Sequence, residues 1–160
     1  MDQLPDVATL VAIYNQINAY GRTNGMELTV HSPGDAEYRM IVRDEHLSSP
    51  GTCHGGVLAG LMDAALGAAA LSLAFTAGEL VSTVEFKINY LHPVRLHDAL
   101  VARARVEHAG KTLLVSSATI ECPNRDGGVV VARGMGTFNR YPADKRDFHR
   151  LLFPDAEPQE

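Results

Sequence analysis

Residues 51–75 read GTCHGGVLAGLMDAALGAAALSLAF. Nearly every position is small or apolar, the stretch contains His54-Gly55-Gly56, and it holds a single carboxylate, Asp63. From 54 to 77 the run is long and apolar all round, which predicts a helix buried on most of its sides. Length alone would also suit a membrane span. Three features argue against that: Asp63 is costly in lipid, the composition is Ala/Gly-rich, and amphipathic strands follow.

Outward from this helix, the apolar spacing of Leu4, Val7, Leu10, Val11, Tyr14 and Ile17 predicts an amphipathic helix over 4–20, with Pro5 near its start and Gly21 after its end. Strands are expected over 26–31 and 36–43, flanking the turn Ser32-Pro33-Gly34-Asp35, and a loop over 44–53. Downstream, VSTVEFKINYL alternates Val84, Phe86, Ile88 and Tyr90 against Thr83, Glu85, Lys87 and Asn89. ALVARARVEH, TLLVSSATIEC and VVVARGMGTFNR continue as strands joined by the short loops AGK and PNRDGG. The order predicts an α+β domain in which one antiparallel sheet of about six strands wraps a central helix. The whole chain, 1–160, reads as one domain with a core over 22–140 and a Pro- and charge-rich tail over 141–160.

Composition narrows the function classes. The net charge of -5, with no Lys/Arg block, argues against nucleic acid as the main partner. The N-terminus lacks the basic and apolar regions of a signal peptide, and two cysteines make no disulfide framework. A cytoplasmic protein is expected. Seven histidines show no metal-ligand spacing, so no metal is implied. His31, His108 and His149 read as solvated or structural, and Arg95, Lys111, Arg125, Arg133 and Arg140 as solvated charges.

The chemistry concentrates on the long helix. Its first N–H groups lack intrahelical partners, and the dipole places partial positive charge there. Glycines at 55 and 56 leave those groups accessible to a carbonyl oxygen or oxyanion. Asp63 has no cation at i±3 or i±4, where Ala59, Gly60, Leu66 and Gly67 stand. Such a carboxylate is a candidate nucleophile or general base. It follows Gly56 by two turns on the same face, about 10 Å along the axis. Both groups must come within about 3 Å of one reacting centre. One helix cannot do that; two antiparallel copies can, which predicts a site at a two-fold dimer interface.

Other motifs fail. Gly110-Lys111-Thr112 sits in a hairpin, with Arg105 where a phosphate loop needs its first glycine. No G-x-S-x-G occurs, and adjacent Cys53 and His54 are poorly placed for a nucleophile–base pair. Lys111, at a tight turn, is the best candidate for a ligand phosphate.

HGGVLAGLMDAALGAAAL, VEFKINYLHPVR, HAGKTLLVSSATI and VARGMGTF together resemble the hotdog-fold acyl-CoA thioesterases, nearest the phenylacetate-pathway type within the hydroxybenzoyl-CoA thioesterase superfamily. The resemblance spans roughly residues 20–140. It implies hydrolysis of an acyl-CoA thioester by a homodimer, or by a dimer of dimers. Coenzyme A is then part of the substrate and no separate cofactor is needed. It implies that Gly56 N–H polarises the thioester carbonyl, that His54 orders the loop and thioester, and that Asp63 of the other subunit attacks or activates water. Thr83 would place the water or the acid. Relatives often carry Asn or Gln six residues before the motif histidine; here Ser48 stands there, with His46 or Ser49 as possible substitutes. Contact with CoA is carried over to Arg95, Gly110, Lys111 and Thr112, and contact with the substrate also to Gly55 and Ser48.

Two other functions share the fold: a non-catalytic acyl-CoA sensor and an enoyl-CoA hydratase. The sensor would need an output domain, and the hydratase a different His/Asp constellation, which the chain lacks. Aromatic, medium-chain and long-chain acyl groups all remain open.

Overall fold

The computed structural model describes residues 6–143. It contains α1 (Val7–Ile17), α2 (Ala19–Thr23), β1 (Glu27–Ser32), β2 (Asp35–Ile41), a single 3-10 turn (Asp44–His46), β3 (Leu47–Ser49), β4 (Thr52–Cys53), α3 (Gly55–Phe75), β5 (Glu79–Tyr90), β6 (Ala99–Ala109), β7 (Leu113–Cys122) and β8 (Val129–Pro142). Six strands form one antiparallel sheet in the order β1-β2-β6-β7-β8-β5. The short β3–β4 hairpin stands apart, inside the segment expected to be a loop.

The sheet rolls around α3. Leu61, Met62, Ala65, Leu66, Ala69 and Ala70 lose all exposure there. The apolar surface that would suit a bilayer is taken up by Tyr38, Leu100, Leu114, Ile120 and Phe138 from four strands. Small residues allow this close wrap. A Cβ at Gly134 would lie 2.7 Å from both the Lys87 carbonyl oxygen and Met62 Sδ. The β1–β2 turn requires Gly34, whose φ of +89° an ordinary side chain resists.

Two expectations need correction. The N-terminal helix is broken. Asp6 caps its start by accepting the Thr9 N–H at 2.8 Å, but the helix ends at Ile17 because Asn18 starts a second one, accepting the Gly21 N–H at 3.0 Å. Gly21 therefore lies inside α2 rather than beyond a helix end. The expected start at Leu4 and Pro5 lies outside the described residues, as does most of the tail.

The simple alternation of β5 also fails. Thr83 pairs with Phe138 but Glu85 pairs with Thr137, so Val84 is the extra residue of a bulge. Val84 is 59% exposed instead of joining Phe86 and Ile88. Thr83, placed by alternation on the face of Glu85, shares instead the inner face of buried Phe138.

Candidate active site

His54 stands at the start of α3 with extended backbone, and its Nδ1 accepts the Gly56 N–H at 2.8 Å. The histidine thus caps its own helix, and the donor expected to await a carbonyl is engaged. Gly56 is exposed, and a Cβ there would meet His54 Nδ1 at 2.8 Å and Cε1 at 3.0 Å. Gly55 is fixed from the sheet: Tyr90 Oη donates to its carbonyl oxygen at 2.9 Å.

The preceding loop is braced by a second histidine. His54 N–H donates to the His46 carbonyl oxygen at 2.8 Å, and His46 Nδ1 accepts the Arg43 N–H at 3.0 Å. His46 is 2% exposed; burial, then the Arg43 charge, lowers its pKa and favours the neutral ring. Its Nδ1 and carbonyl oxygen brace the loop, while its Nε2 is buried without a hydrogen-bond partner among the described residues. Ser48 and Ser49 remain exposed on β3.

Asp63 lies half-buried on the least covered stripe of α3, in line with Gly56, Gly60 and Gly67. The i, i+4, i+7, i+11 spacing keeps these four on one face. Thr83 Oγ1 donates to Asp63 Oδ1 at 2.9 Å. The Val84 bulge makes that bond possible, since regular pleating would turn Thr83 outward with Glu85. Asp63 is therefore satisfied by a hydroxyl on the neighbouring strand, in place of the cation its helix lacks.

Two tyrosines join this stripe from the N-terminal helices, and the sequence reading gave neither a functional place. Tyr14 is mostly buried; burial, then the Asp63 charge, raises its pKa. Tyr20 lies against Gly60: a Cβ at 60 would fall 2.0 Å from the Tyr20 hydroxyl. The pairing of a glycine on α3 with an N-terminal tyrosine leaves no signal in either segment alone.

The residues assigned to CoA do not gather within one chain. β6 separates Arg95 from the Gly110-Lys111-Thr112 turn by its whole length, roughly 35 Å. Arg95 bridges Thr52, close to the start of α3. Across the sheet, Tyr90 aligns with Ala132 and Ile120, and so belongs to the Arg95 end. Thr83 aligns with Phe138 and Leu114, and so belongs to the Lys111 end. One end of the molecule thus carries His54, Gly55, Gly56 and Arg95; the other carries Thr83, Lys111 and Thr112.

Two of the arginines read as solvated are engaged. Arg140 pairs with Glu79 and donates from Nη1 to the Gly110 carbonyl oxygen at 2.9 Å, bracing the turn that presents exposed Lys111. Arg125 pairs with buried Asp98, which also accepts the Arg95 N–H at 2.7 Å. His31 Nε2 lies 3.8 Å from Glu37. His149 falls outside the described residues. Burial, then Asp98, pushes the Cys53 thiol up to about 11, an inert state at neutral pH. Among the described residues, no group of three or more His, Cys, Asp or Glu is placed to hold a metal ion.

Six antiparallel strands rolled around one long helix define a hotdog fold. The chain belongs to the Thioesterase superfamily, whose profile matches residues 50–129, and is a thioester hydrolase. Acyl-coenzyme A thioesterase 13 of Homo sapiens is 34% identical over 107 residues, covering 66% of this chain and 73% of the human protein. The PaaI protein of the E. coli phenylacetic acid degradation operon superposes with a TM-score of 0.74 at 27% identity, over 84% of this chain and 93% of PaaI. A thioesterase family protein from Silicibacter pomeroyi gives a TM-score of 0.73 at 29% identity, over 81% and 96%.

Proposed function

We propose that this chain hydrolyses acyl-CoA thioesters at a site built between two antiparallel copies of itself. The observation that carries the proposal is Asp63, held by Thr83 at 2.9 Å on the open face of α3 with Gly56 two turns away. That separation is too long for one reacting centre. A two-fold axis beside α3 brings Gly56 and Arg95 of one copy to Asp63, Thr83 and Lys111 of the other. The same operation unites the two candidate phosphate contacts that one chain holds at opposite ends. The outer edge of β5 is unpaired in the sheet and exposes Val84, Tyr90 and Leu91, which suits continuation by a second copy.

The reaction consumes one water and releases a free acid and the CoA thiol. The thioester carbonyl displaces His54 Nδ1 from the Gly56 N–H, which then stabilises the negative charge developing on oxygen. Asp63 either attacks the carbonyl carbon, giving an anhydride that water opens, or takes a proton from the attacking water. Thr83 orients the carboxylate in both routes. The C–S bond breaks to a thiolate whose conjugate acid has a pKa of about 8.5, so departure needs little acid assistance.

Mixed dimers test the shared site. Asp63→Asn removes the attacking group, and Gly56→Pro removes the N–H where a helix first turn tolerates proline. Each variant alone should be inactive. Refolded together in equal amounts, they should recover roughly a quarter of wild-type turnover, since half the dimers then carry one intact site. No recovery, with mixed dimers demonstrated by mass, refutes the shared site.

A further inference from the structure

We propose that the N-terminal helices form the wall that limits acyl length in this thioesterase, with Tyr20 as the specificity-determining residue. This inference rests on the proposed acyl-CoA reaction and deepens it. The stripe Gly56, Gly60, Asp63, Gly67 is the least covered side of α3, and an acyl group whose carbonyl is held between Gly56 of one copy and Asp63 of the other extends beside it. Gly60 lies about one turn from both Gly56 and Asp63 on the same helix, and so borders both of the sites to which that helix contributes. The Tyr20 hydroxyl occupies the space a Cβ at 60 would need, 2.0 Å from that position, with Cζ at 2.9 Å. The ring fills the one notch on this stretch of helix that the absence of a side chain creates.

Tyr20 is placed there by an unusual local structure. The chain breaks at Asn18, whose Oδ1 caps α2 through Gly21 N–H and whose Nδ2 lies 3.5 Å from the Tyr38 hydroxyl in the core. Asn15 ties α1 to β1, with both amide atoms 3.4 Å from the backbone of Leu28. The break therefore turns a pinned segment so that Tyr20 meets α3. Tyr20 remains 50% exposed, so its ring borders open space rather than core. The wall predicts a preference for short or compact acyl groups over long chains.

The test is a panel of acyl-CoAs from four to sixteen carbons, read as kcat/KM for wild type, Tyr20→Ala and Tyr20→Phe. Wild type should favour the short end. Tyr20→Ala should raise the long-to-short ratio at least tenfold, in line with the 10- to 200-fold worth of one methylene in a pocket. The gain should come through KM for the long substrates, with kcat on the shortest one nearly unchanged. Tyr20→Phe lacks only the oxygen in the notch and should shift the same way by less; it also serves if the alanine variant does not fold. An unchanged length profile in folded Tyr20→Phe or Tyr20→Ala, or a wild type that prefers long chains, overturns the wall. A wild type inactive on every acyl-CoA, or an Asp63→Asn variant of full activity, would instead overturn the reaction on which the inference rests.

Discussion

Thr83 touches the proposed chemistry only through Asp63, and that restriction makes a sharp prediction. Thr83→Val keeps the shape of the side chain and suits a strand, but deletes the hydroxyl that donates to Oδ1 at 2.9 Å. A hydrogen bond to a charged group contributes about 1.5–3 kcal/mol, and the solvent reaching both residues favours the lower end. About 1.4 kcal/mol is tenfold in rate, so Thr83→Val should lower kcat roughly tenfold with little change in KM. Asp63→Asn removes the base or nucleophile itself and should cost about 10²- to 10⁴-fold. Once Asp63 is neutralised, the hydroxyl has no carboxylate to orient. The double variant should then be no slower than Asp63→Asn alone, a coupling equal to the whole Thr83 effect. The assay is thiol release from acyl-CoA under saturating substrate, with thermal unfolding as the control for fold. A further tenfold loss in the double variant would refute the assignment, because Thr83 would then act independently of Asp63.

Further outcomes follow from the same geometry. Gly56→Ala should lower Tm, because its Cβ would sit 2.8 Å from His54 Nδ1 and expel the capping ring. In a His54→Ala background the same change should be neutral or stabilising, since alanine outranks glycine in a helix and no ring remains to displace. His54→Ala alone should cost about 1 kcal/mol as a lost N-cap, read by denaturant unfolding. Glu37 is 4% exposed, and burial pushes its pKa up, but the Arg39 hydrogen bond and the Arg39, Arg103 and His31 charges outweigh this and hold it below the ordinary glutamate range. Its stabilising contribution is complete above its unfolded pKa and fades as pH falls through the lower folded value. Glu37→Gln should therefore be less stable than wild type at pH 7, with the gap closing progressively in acid unfolding below about pH 4. Buried Cys53 and Cys122, both raised mainly by burial and further by Asp98, should resist alkylation at pH 8 until the chain unfolds. Cys53→Ala should retain hydrolysis.

The long helix was legible because its pattern is local. An apolar run of that length, opened by His-Gly-Gly and interrupted by one acid, leaves few ways to bury itself, and the observed α3 differs from the expected 54–77 by one residue at the start and two at the end. The succession of strands along the chain followed from alternation and turn chemistry, whereas their order within the sheet did not. Asp63 stood out through its surroundings, whereas Thr83 came from family resemblance, since alternation assigned it to the wrong face. The bulge responsible depends on how β5 registers with β8, and nothing in VSTVEF announces it. Tyr20 was invisible for a related reason: its meaning lies in a glycine forty residues away. How far apart Arg95 and the Gly110-Lys111-Thr112 turn lie within one chain was not legible, because the distance depends on the length of β6 between them.

The self-cap at the start of α3 has a consequence for turnover. On the proposed route the resting enzyme competes with its own substrate, because the His54 ring already occupies the N–H that the thioester carbonyl must reach. Entry of the substrate exchanges one acceptor for another and forfeits a cap of about 1 kcal/mol, roughly fivefold in apparent affinity. When the free acid leaves, the imidazole closes over the vacated donor. On that route the histidine is a reversible plug that raises KM and hastens clearance of the product.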